Sequence, residues 1–178
     1  TPLARLVPEK KTLYIAGLVW YGLWNTGPII LSLLGLAPDP GDMSLFYLVM
    51  TANAVSAMGI GLLGVMQGSM IADITDEHEA RHGSRNEGIY YAAASFAAKA
   101  IGGFGVIISG IVVDLAQIQR NATVETISAE SLRTLAFAMG PGVLIMIALT
   151  VVVASAYQLT RDEHTRIRRA IDAVHQPT

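Results

Sequence analysis

The sequence predicts an all-α membrane protein with four transmembrane helices, and three observations carry that prediction. Hydrophobic residues make up 52% of the chain and charged residues only 15%, against roughly a quarter charged in soluble domains. Of 12 basic and 14 acidic residues, Lys99 alone falls within four long stretches that otherwise carry no charge. Those stretches are apolar all round, whereas a helix buried in a water-soluble protein shows a polar face at a period of about 3.6 residues.

The first stretch is uncharged over 12–38 and predicts a span of about 13–36; the turn signals Gly35, Pro38, Pro40 and Gly41 stop it. The second, 43–72, predicts a span of about 44–72. The third, 88–113 apart from Lys99, predicts one of about 87–113, opened by Ser84-Arg85-Asn86-Glu87 in the S-x-x-E form of a capping box. The fourth, 134–160, predicts a span of about 133–160 followed by a tail, 161–178. Each exceeds the ~20 residues a helix needs to cross ~30 Å of hydrocarbon. In the tail, Ile167, Ile171 and Val174 share one face among Arg166, Arg168, Arg169 and Asp172, which suits a helix on the membrane surface as well as a solvated tail.

With four spans, the N-terminal stretch, the 73–86 connection and the tail share one side. They carry Arg5, Lys10, Lys11, Arg81, Arg85, Arg161, Arg166, Arg168 and Arg169, whereas the opposite connections carry Arg120 and Arg133. Cationic loops stay on the cytoplasmic side, so both ends are expected there, in a cell (inner) membrane. The net charge of -2 gives no basic field for nucleic acid, and the absence of cysteine excludes disulfides and thiolate metal sites. Thr1 in place of an initiator Met suggests a piece of a longer protein.

Lys99 is the most informative residue. It lies ~18 Å along its helix from Glu87, near the bilayer midplane, where an ammonium costs ~3 kcal/mol and seeks a carboxylate or water. None of the four stretches 12–38, 43–72, 88–113 and 134–160 contains an acid. Its partner is therefore expected on helices outside this chain, the alternative being a lysine that snorkels to an interface. Ser95, Gly102, Gly103 and Val106 share its face, and Ala94, Ala98, Gly102 and Gly105 permit close helix contact. Asn53, Ser56 and Gln67 are polar handles in the second span. Pro28, after Asn25, Thr26 and Gly27, should kink the first span, where Trp20 and Trp24 share a face that packs or stacks on a ring.

The connection 72–88 reads as a charged loop. It is either simply solvated or a set of charge pairs, such as Asp73 or Asp76 with Arg85, that locks one side shut. It also contains His78-Glu79-Ala80-Arg81-His82, which matches the H-E-x-x-H zinc-protease pattern. That alternative needs a helix through both histidines, and Gly83 with the Ser84 cap is expected to break the chain there.

The run Gln67-(x)5-Asp73-x-x-Asp76-x-x-Glu79-x-x-x-Gly83-x-Arg85-x-Glu87-Gly88-x-x-Tyr91, then Phe96-x-x-Lys99 and Gly102-Gly103, resembles the melibiose-permease-like glycoside-pentoside-hexuronide:cation symporters of the major facilitator superfamily. The resemblance implies helices nine to twelve of a twelve-helix fold, with Asp73, Asp76, Arg85 and Glu87 as charges of a cytoplasmic gate. It also implies that Lys99 lies beside a cation site whose carboxylates come from the N-terminal part of the same transporter, with Ser95, Gln67 and Asn53 as further substrate or coupling residues. The implied activity is symport of a small solute, a sugar or glycoside, with sodium or protons as coupling cation, no other cofactor and no resident metal. The family's Asp-Tyr-Gly-Glu is here Asp76-Glu77-His78-Glu79, and Gly64 stands where an aromatic residue is expected. Lysolipid carriers of the same architecture are the alternative that these departures keep open.

Overall fold

The computed structural model describes residues 10–84, 86–119, 121–123 and 126–156. Five α-helices and one π-helical turn follow in order: α1 (Lys10–Leu33), α2 (Met43–His82), α3 (Glu87–Leu115), α4 (Ala129–Phe137), the π turn (Ala138–Gly142) and α5 (Val143–Ser155). The last three run on as one 27-residue rod, Ala129–Ser155, so the described chain is four rods and no strand.

By length and hydropathy, α2, α3 and the fourth rod are each able to cross a membrane. At 24 residues α1 also has the length, but Trp20, Trp24, Asn25, Thr26 and Pro28 make it less apolar than the other three. It packs antiparallel to α2 through small residues that let the backbones approach. A Cβ on Gly59 would lie 3.1 Å from both the Gly17 carbonyl oxygen and the Tyr21 backbone nitrogen. Trp20 Nε1 seals that contact by donating to the Val55 carbonyl at 2.9 Å. On its other side α1 meets α5, where Gly22 leaves room for Ile147. The buried centre is accordingly narrow: Leu18, Ala52, Thr26 and Ser56 lie between these rods, and Ala116 lies beside the far loop.

α3 has no buried residue. Ile101, Phe104, Val106 and Ile107 present at least three-fifths of their surface, as suits a helix whose solvent is lipid or further protein. It touches α2 near one end and α4 near the other.

The expected loop over 73–82 is helix. α2 runs 40 residues, from Asp42, whose side chain caps Ser44 N–H, to a left-handed Gly83 at φ 69° whose N–H bonds the Glu79 carbonyl. Charge does not end a helix, because its backbone bonds are satisfied internally; only the αL glycine does so here. The expected Ser84 capping box is not formed. Asn86 is the N-cap of α3 and makes no side-chain cap bond, its amide being turned to His78 and Ser84. The fourth span starts at Ala129, capped by Ser128, and is interrupted by the π turn at Pro141, a break the sequence reading did not anticipate. α1 continues through Pro28 to Leu33. Arg85 and the tail 161–178, where a surface helix or a solvated tail is expected, lie outside the described residues.

Candidate functional site

Two charged regions carry the chemistry. The first is the end where α1 begins, α2 and α5 finish and α3 starts. There Lys10 Nζ donates to both carboxylate oxygens of Asp73, at 2.7 and 2.6 Å. The Asp73 side chain is 9% exposed and that of Lys10 40%, so the pair is one-sidedly buried and its attraction is screened less than that of a surface pair. One turn on, Asp76 is buried beside Asp73 with Thr75 between them, and the Thr75 hydroxyl is satisfied by the Ile71 carbonyl at 3.0 Å. Lys11 Nζ donates to the Ser155 carbonyl at 2.5 Å, placing a cation on the partly negative C-terminus of α5. Glu87 opens α3, where the helix dipole favours an anion.

At the same end His78 joins α2 to α3. Asn86 Nδ2 lies 3.0 Å from His78 Nε2 and the Tyr90 hydroxyl 3.2 Å from His78 Nδ1. His82 stacks on His78 at 4.4 Å between ring centroids, its Nδ1 within 3.2 Å of the His78 carbonyl. The expected break at Gly83 is present, but it falls just after His82, so both imidazoles of the H-E-x-x-H pattern share one helical face. Both ring nitrogens of His78 are nevertheless committed to Asn86 and Tyr90, and Arg81 is ion-paired with Glu77. Among the described residues no group of three or more His, Cys, Asp or Glu is arranged to hold a metal.

The second region is the middle of α3. Lys99 and Ser95 lie one turn apart, both exposed, and among the described residues Lys99 has no carboxylate partner. Gln67 faces α3 across a 360 Å³ groove, lined also by Tyr14, Met70, Ile71, Ala94 and Thr150. Tyr91 bridges the same two helices through a 3.4 Å bond to the Gly68 carbonyl. Asn53 is elsewhere: it lies 14 residues before Gln67 on α2, ~21 Å away along the axis, and its amide is spent on the Val49 carbonyl at 2.9 Å. The four residues expected at a substrate and coupling site thus divide, with Gln67 near α3, Lys99 and Ser95 on its open surface and Asn53 apart. Trp20 and Trp24 are 5.9 Å apart at a tilt of 47°, with Trp20 tying α1 to α2.

Sequence reasoning offered Asp73 or Asp76 as a partner for Arg85, which lies outside the described residues, and missed Lys10. The available signal was topological, since Lys10 precedes the first span and Asp73 follows the second on the same side of the bundle.

A family model described as MFS/sugar transport protein matches residues 3–161. A protein named an uncharacterized symporter, from Synechocystis sp., is 25% identical over 181 residues, covering 98% of this chain and 30% of its own length. The chain therefore spans less than a third of that relative. No solved structure matches. Long apolar helices and a match over nearly the whole chain make this a multi-pass membrane protein, and the chain belongs to the MFS/sugar transport protein family.

Proposed function

We infer that the chain is the C-terminal part of a cation-coupled symporter that moves a sugar or glycoside by alternating access, a carrier rather than an enzyme. The observation that carries this is Lys99: a cation in the middle of an apolar helix, exposed and with no carboxylate partner among the described residues. Such a group is stable in a bilayer only against a counter-charge. Within a sugar-transport family that counter-charge belongs on the N-terminal half, where a bound sodium ion or proton would compete with the ammonium for it. Binding of the cation then changes the electrostatics of the solute site, which is coupling. Both ends of the chain face the cytoplasm in this reading, and Lys10–Asp73, with Asp76, Arg85 and Glu87, closes that side when the pathway opens outward.

The test is Lys99→Ala in the intact transporter, reconstituted in vesicles. Loss of ion-gradient-driven uptake with retained expression supports the reading, and unchanged coupled uptake removes it. Vesicles holding only these 178 residues should show no uptake, because the opposing wall is missing. The groove beside Gln67, walled by Met70, Ile71, Ile74 and Val153, supports a second solute class in the same architecture, a lysolipid or other amphiphile. Competition of uptake by lysolipid rather than by glycosides would select it.

A further inference from the structure

Two prolines lie at the same level in two packed helices. Pro28 lies inside α1 and Pro141 inside the π turn of the fourth rod. The two rods touch at Gly22 against Ile147 and at Gly140 against Ile29. The second contact is seven residues further along α1 and seven residues earlier along the fourth rod. That antiparallel register sets Pro28 opposite Pro141.

Each proline removes one helical hydrogen bond, since its nitrogen has no proton to give the carbonyl four residues back, and its ring crowds that carbonyl. The π turn adds a wider, less regular loop of backbone at Ala138–Gly142. In α1 the Thr26 hydroxyl bonds back to the Gly22 carbonyl at 2.7 Å, a contact that bends helices. A Cβ on Gly27 would meet nothing within 4 Å, so the backbone beside Pro28 has room to move. One proline in one of two packed helices is braced by its intact neighbour, whereas two at the same level remove the brace. α2 runs past both without a proline in its 40 residues.

We propose that the level of Pro28 and Pro141 is a hinge about which the far end of α1, from Ile29 onward, and the first part of the fourth rod, back to Ala129, tilt as one body against α2. The Gly140–Ile29 contact holds the moving halves together. On the other side of the hinge, Gly22–Ile147, Lys11 on the Ser155 carbonyl and Lys10 on Asp73 hold the fixed halves. This device is independent of which solute is carried.

The test uses pairs of spin labels on cysteines placed in the intact transporter in lipid nanodiscs, without any ligand; the chain itself contributes no cysteine. Leu34, Leu132 and Tyr47 are exposed at the far end, at 65%, 53% and 61%. The distance between Leu34 and Leu132, both on the moving body, should be narrowly distributed. That between Leu132 and Tyr47 on α2 should be about twofold broader. Pro28→Ala or Pro141→Ala alone should narrow the broad distribution, because one restored helix is enough of a brace, and the double variant should add little. Equal widths in the unmodified protein would overturn the hinge, as would narrowing that accumulates independently from each substitution. Should a variant fail to fold, the comparison of widths in the unmodified transporter decides.

Discussion

Asp73 and Lys99 are both charges carried by long apolar helices, and the chain treats them in opposite ways. Asp73 sits where α2 leaves its apolar stretch, is almost buried, and finds the Lys10 ammonium inside the same four rods. Lys99 sits in the middle of a helix without a buried residue, and among the described residues no carboxylate reaches it. Asp73 is satisfied within the rods that carry it, whereas Lys99, in the proposed function, takes its counter-charge from outside them.

The largest effect expected from breaking this comparison is at Lys99. Lys99→Leu should make membrane insertion of α3 more favourable by about 3 kcal/mol, measured as glycosylation-mapped insertion efficiency, while abolishing coupled uptake in the intact transporter. A gain in insertion without a loss of uptake would assign the lysine to topology alone. Next is the Lys10–Asp73 pair. Removing one partner of a buried pair costs 3–5 kcal/mol, a range reduced here to about 2 kcal/mol because Lys10 is 40% exposed. Thermal unfolding in detergent should show that loss for Lys10→Ala and for Asp73→Asn, and the exchange Lys10→Asp with Asp73→Lys should recover much of it.

Glycines sharpen the contrast further. Gly59→Ala would press on the Gly17 carbonyl and the Tyr21 backbone at 3.1 Å, neither of which can rotate away, and should cost ~1–3 kcal/mol in the isolated chain. Gly102→Ala has nothing within 4 Å, so it should be silent in the isolated chain and harmful only in the intact transporter, where α3 acquires neighbours. Equal behaviour of Gly102→Ala in both settings would mean that α3 faces lipid throughout. The smallest effect is at Asp42. The Ser44 backbone N–H, and then its hydroxyl, hold the Asp42 carboxyl below its ordinary value of 3.8. The cap's contribution is therefore present above the unfolded value and lost as pH falls through the lowered folded one. Helix content at the start of α2 should decline only below about pH 4 and show no such step in Asp42→Ala.

How much of this was legible in the sequence follows from what decides each feature. The rods were legible because absence of charge over twenty or more residues is a composition signal that needs no tertiary information. The reach of α2 through 73–82 was not, because a charged stretch reads as loop when only hydropathy is weighed; Gly83 was the true stop and was visible as such. The capping box at Ser84 failed because Asn86, only eight residues after His78, turns its amide to that imidazole across the Gly83 bend, a contact that cap patterns do not encode. Pro141 between two glycines was a local signal that an unbroken apolar stretch concealed. Lys99 stood out because its cost is local, whereas the partner of Asp73 depended on which of several cations the packing of α1 delivers.

The length of α2 has one more consequence. Forty residues at ~1.5 Å each make a strut of ~60 Å, about twice the hydrocarbon thickness. Its last turns stand in the aqueous phase as a stiff extension of the intramembrane segment, so any rotation or piston movement of that segment is reproduced outside the bilayer. A fluorophore on Glu79 would then report, from water, a motion that takes place in oil.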